Sequence, residues 1–198
     1  MSLTAPENLA IASTAAWTAV HSAIDDTFAR LDAWCNMPAA RLQHRPPYPQ
    51  AWTATEHLEH VALVNHFLLL TIAKGVAIAL RRARNQPTPA GESDLTRLAP
   101  IADPQAFPWE PPGHMIPTGT KPAAAVRDQL NGQYGKCLLL LNQIKNGQGA
   151  LCSFRMSVYN LGRLDMYQWL YFLCQHGRWH LAFLARREPG DDHPNPSQ

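Results

Sequence analysis

Apolar residues recur at intervals of three and four over four separate stretches of the chain, the spacing of helices that bury one face. The first stretch carries Trp17, Val20, Ile24, Phe28, Leu31 and Cys35. Its predicted helix opens at Thr4, with Glu7 completing a capping box, and stops before Pro38. A loop holding Pro46, Pro47 and Pro49 follows. The second helix takes Thr53 as N-cap and Glu56 at the third helical position, again a capping-box pattern, and runs to about Arg84. The third follows Thr120 and Pro122, places Val126, Leu130, Leu138, Leu141 and Ile144 on one face, and ends where Gly147 offers a left-handed cap. The fourth begins at Asp165 and continues to about Arg187. No run alternates long enough for a sheet, although residues 151–159 suit a short extended piece.

Four helices around one core, an all-α four-helix bundle, is the economical arrangement. The connection from about Asn85 to Lys121 is long and contains Pro87, Pro89, Pro100, Pro104, Pro108, Pro111, Pro112 and Pro117, so an overlooked helix is not expected there. A crossover returning along the bundle accounts for its length, leaving the second and third helices parallel. Phe107, Trp109 and Met115 give it something to pack with. One domain is expected over residues 1–188, with the polar, Pro-rich residues 189–198 as a frayed tail.

Composition narrows the function classes. A chain of 198 residues with 46% apolar residues can bury one sizeable core. A formal charge of +2, with 16% charged residues, leaves no basic block to track nucleic acid or a membrane surface. Apolar stretches are interrupted well short of the ~20 residues that span a bilayer. With no secretory or transit pattern at the N-terminus, the expected compartment is the cytoplasm. Cys35, Cys137, Cys152 and Cys174 form no CxxC pair and are expected to be reduced packing residues.

The nine histidines change the picture. On the second helix His57 and His60 lie on or beside the apolar stripe through Val61, Val64, Leu68 and Ile72, whereas His66 points away. On the fourth, His176 and His180 are four apart and share a face with Trp169, Phe172, Leu173 and Phe183. Imidazoles at that spacing converge on one metal ion, and a third inward histidine would complete the set. His57 and His60 are the candidates, with His21 of the first helix behind them.

The run Trp52-Thr53-Ala54-Thr55-Glu56-His57-Leu58-Glu59-His60-Val61 resembles the second-helix signature of the DinB/YfiT-like superfamily, in which a ligand histidine follows a tryptophan by two turns. Gly162-Arg163-Leu164-Asp165, leading to His176-Gly177-Arg178-Trp179-His180-Leu181, is similar to that family's last helix and its HxxxHL ligand pair. The resemblance covers nearly the whole chain. It implies an up-down-down-up bundle, often a homodimer, with a divalent metal held by His60, His176 and His180, so that His60 is preferred to His57. One departure is that members commonly carry a polar residue shortly after the pair, where this chain has Ala182, Phe183 and Leu184.

Three neutral histidines leave an ion its full charge and an open position for water or substrate. Histidine nitrogens suit zinc, nickel, copper and iron alike, and the expected ion is zinc or nickel, with iron or manganese behind them. The resemblance points to transferases and isomerases that use a low-molecular-weight thiol such as bacillithiol, mycothiol or glutathione. The expected function is therefore a metal-dependent thiol S-transferase or related detoxifying enzyme with a small-molecule substrate. The alternative is a metal- or ligand-binding or stress-response protein without turnover. Glu56 is a candidate general base, although the capping box accounts for it as well. Tyr159, Arg155 and Arg163 are candidates to meet an anionic substrate. The fourth helix is apolar nearly all round, with Tyr167, Leu170, Cys174 and Leu181 on a second face, so it is either central or part of a dimer interface.

Overall fold

The computed structural model describes residues 14–47, 51–89, 91, 93–106 and 111–186. Its helices are α1 (Ala15–Cys35), the short α2 (Ala39–Gln43), α3 (Ala54–Ala83), α4 (Ala123–Gln143) and α5 (Met166–Ala185). Thr14 caps α1 by accepting from the Trp17 backbone N–H at 3.1 Å. The opening expected at Thr4 and Glu7, like the residues of the expected tail, lies outside the described residues. The capping box of α3 forms as read: Thr53 Oγ1 accepts from Glu56 N at 3.2 Å and the Glu56 carboxylate accepts from Thr53 N at 2.7 Å. Asp165 caps α5 in the same way, with Gln168 as its reciprocal partner.

α1 and α3 each pack against both α4 and α5, while the pairs α1/α3 and α4/α5 touch little. The faces that meet are the ones the apolar spacing marks. Val20, Ile24 and Leu31 of α1, Leu58, Val61 and Ile72 of α3, Leu130 and Leu141 of α4, and Leu170 and Leu173 of α5 are all almost fully buried. Each contributes about 1.5–3 kcal/mol of transfer free energy. α5 is the central element: Tyr167, Leu170, Cys174 and Leu181 are at most 1% exposed within the single chain. Its second apolar face therefore offers no free surface to a second copy. α3 has the length and apolarity of a membrane-crossing helix, but half of that window is buried inside the protein. It also carries buried Glu59, His57, His60 and Asn65, so its apolarity serves the core.

The long connection has two anchored parts. Residues Thr96–Ala102 form a 3-10 helix with Pro100 inside it, a correction to the expectation of no helix here. A 3-10 turn with i to i+3 bonding tolerates a proline that an α-helix interior would not. Leu98 and Ile101 from this turn are fully buried, and Gln175 and Gln168 of α5 donate to the carbonyls of Ala99 (3.0 Å) and Asp94 (2.8 Å). The second part turns at Gly113–Met115 and lies over α3. Phe107 and Trp109 lie outside the described residues. The extended piece expected within 151–159 is the strand β1 (Ser153–Met156), which pairs antiparallel with a strand the apolar spacing did not reveal, β2 (Gly162–Asp165). Tyr159 and Asn160, between them, adopt left-handed backbone with φ of 50° and 52°.

Candidate metal centre

α3 and α5 meet with their histidines facing. His60, His176 and His180 are each at most 4% exposed, and each offers a ring nitrogen such that all three lie within 4.8 Å of one another. His176 Nε2 and His180 Nε2 are 3.3 Å apart. Tetrahedral ligands at a metal–nitrogen distance of about 2.0–2.1 Å are separated by about 3.3–3.4 Å, so the helical pair already has the spacing of two ligands of one ion. Closing the widest separation to that value takes about 1.5 Å at most, within reach of ring rotation.

The protonation pattern suits the same purpose. Burial, together with the neighbouring imidazoles, pushes His176 and His180 well below the ordinary histidine pKa of 6.5, and burial lowers His60 despite its hydrogen bond to Met115. All three are neutral at pH 7, the form in which a ring nitrogen has a lone pair to give. His60 Nδ1 donates to the Met115 carbonyl at 2.7 Å, which leaves Nε2 as its lone-pair nitrogen. His180 Nδ1 faces His57 Nδ1 at 3.1 Å. With Nε2 of His180 turned to the cluster, its Nδ1–H donates and His57 accepts. His57 is thus a supporting partner of the cluster, a role its spacing did not announce.

The structure places the other candidates elsewhere. His21 pairs with Asp25 on α1 at 3.1 Å, and His66 is exposed. Glu56 has both carboxylate oxygens engaged, by Thr53 N and by Arg45 at 2.6 Å. Burial would raise its pKa, but these hydrogen bonds outweigh it and hold the carboxyl below the usual range. Sequence reasoning missed Glu59, which is 1% exposed and accepts from Thr118 Oγ1 at 2.8 Å and Gly119 N at 3.1 Å. It ties the second half of the connection to α3, one residue from His60. The signal available was a carboxylate within a long apolar run.

His57, His60, His176 and His180 line a cavity of about 650 Å³. Trp52 precedes the N-cap of α3 and packs on His57 at 5.3 Å between ring centroids, the staple position, and on His60 at 5.1 Å. Its other walls come from α3, α5, the turn at Pro111 to Met115 and the β1–β2 connection. Tyr159 lines it; Arg155 and Arg163 do not. No protein thiol competes as a nucleophile: all four cysteines are free and buried, and burial raises Cys35 to about 11 and Cys174 to about 12.

No curated protein and no solved structure matches the chain. A family model described as the DinB superfamily matches residues 19–184, a span that takes in the three clustered histidines and most of every long helix, and the chain belongs to that superfamily.

Proposed function

We propose that His60, His176 and His180 hold one divalent transition metal, zinc or nickel in the first instance, and that the protein is a metal-dependent thiol S-transferase or related detoxifying enzyme. The observation that carries this reading is the convergence of three buried, neutral imidazoles in the wall of a cavity large enough for a small molecule. An ion held by these three histidines would supply Lewis acidity and lower the pKa of a small-molecule thiol towards neutrality. The chain's own part is to orient: Met115 and His57 fix the ring orientations of His60 and His180, and aromatic side chains wall the cavity beside them. With every cysteine thiol raised, the sulfur nucleophile comes from a small molecule. The same reading takes the domain as residues 1–188, the four long helices as up-down-down-up with the connection as crossover, and the protein as a cytoplasmic homodimer.

One observation favours the runner-up, a metal- or ligand-binding protein without turnover. Among the described residues no carboxylate lines the cavity to act as a base. Two measurements decide. Metal analysis of the purified protein should find about one ion per chain, lost in His60→Ala and His176→Ala; no ion in the parent ends the metal reading. Metal-loaded protein incubated with low-molecular-weight thiols and electrophiles should consume them in a metal-dependent way, and a silent panel favours the binding protein.

A further inference from the structure

The cavity wall itself narrows what the site accepts. Among the described residues it contains no Lys, Arg, Asp or Glu. Its polar side chains besides the histidines are Thr71, Ser157 and Tyr159, with an indole N–H on each of Trp52, Trp169 and Trp179, and its apolar faces include Leu68 and Phe172. Trp179 and Phe183, which both line it, stack in parallel, 5.5 Å between centroids and 5° between planes. Arg163, Lys121 and Arg45 are engaged by other groups of the fold. Arg163 donates to Ser153 across the strand pair, Lys121 lies 4.0 Å from Glu59, and Arg45 holds Glu56. A charged group entering this space would leave water and find no counter-charge among the described walls.

We propose that the ligand of this cavity is an uncharged, aromatic small molecule, and that the wall rejects anions and cations of the same size. The proposal rests on the reading above only in taking the histidines as the reacting side. In a transferase the cavity then receives the electrophile, and a thiol bearing carboxylates keeps them outside the described walls. Aromatic side chains recognise a ring by offset or edge-to-face stacking, which asks for no counter-charge.

The test uses metal-free protein in chelator, so that a carboxylate cannot bind through an ion. Calorimetric or tryptophan-fluorescence titrations compare 2-acetylnaphthalene, 2-naphthoate and 2-naphthylmethylammonium, which share a ring system and differ in charge. The neutral probe is expected to bind, and each charged one at least about a hundredfold more weakly. Equal or tighter binding of a charged probe overturns the proposal, as does no binding of the neutral probe up to its solubility limit. Leu68→Trp, which fills the cavity, should weaken the neutral probe at least about tenfold, with Thr71→Phe in its place if that variant does not fold. Leu139→Trp, at a side chain 60% exposed on α4, should leave binding unchanged. Undiminished binding in the filled variant places the probe elsewhere and also overturns the proposal. The metal reading is judged separately, by ion content, so that either can fail alone.

Discussion

Glu59→Gln is the most informative single change. The carboxylate is 1% exposed and accepts two hydrogen bonds from the connection, from Thr118 Oγ1 at 2.8 Å and Gly119 N at 3.1 Å. Bonds to a buried charged acceptor contribute about 1.5–3 kcal/mol each. Glutamine keeps one oxygen for the Gly119 N–H, while its NH₂ group donates to the Thr118 hydroxyl, which turns its own proton to Thr120 Oγ1, 2.9 Å away. Both bonds then survive without the charge that strengthens them, offset by the smaller cost of burying a neutral amide. The expected net loss is about 1 kcal/mol, read as a lower urea midpoint at unchanged m-value in metal-free protein. The effect should also reach the histidines. Met115, whose carbonyl orients His60, lies three residues before Thr118, so a loosened connection should weaken metal affinity about ten- to hundredfold in competition with a chromophoric chelator. Glu56→Gln, at the capping box, should cost about 1 kcal/mol or less and leave metal affinity alone. A Glu59→Gln protein within about 0.5 kcal/mol of the parent, with unchanged metal affinity, would refute the reasoning.

Gly177 sits between helices, and a Cβ there would lie 2.9 Å from Thr27 Cγ2 of α1. Gly177→Ala is therefore expected to cost about 1–3 kcal/mol and to disturb the adjacent His176, and Thr27→Ser, which removes the offending methyl, should restore most of both in the double variant. His57→Leu keeps an apolar cavity wall but removes the acceptor for His180, and should weaken metal affinity about ten- to hundredfold with little change in helix content by circular dichroism. Metal-free protein should be acid-sensitive. His176 and His180 have folded pKa values well below 6.5, so the unfolded chain takes up protons first as pH falls through 6.5. Stability is then constant above that value and falls below it, by about 3 kcal/mol for the two residues at pH 5.5. Equal urea midpoints at pH 7.5 and 5.5 would contradict it.

Local signals carried well from the sequence. Thr53 with Glu56, and Asp165 at the start of α5, are readable because a cap and its partner are three residues apart. The pair His176 and His180 is readable because one helical turn fixes their common face. What was not legible depends on partners far along the chain. Glu59 is explained by Thr118 and Gly119, roughly sixty residues away, and β2 by a register with β1 that neither strand specifies alone. The burial of Tyr167 and Cys174 within one chain likewise follows from α5 lying between α1 and α3, an arrangement that periodicity on α5 leaves open.

The hydrogen bond from His60 to Met115 is made to a main-chain oxygen. Any residue at that position supplies the same carbonyl, so its side chain is free to change without disturbing the imidazole it orients. Pro111 and Pro112, on the same turn, contribute only bulk to the cavity wall. Chemistry and selectivity are thereby written in different segments: the histidines on helices whose faces the core constrains, the shape of the pocket partly on a turn the core does not. Substitutions confined to that turn can retune which molecules enter while the reacting groups stay as they are.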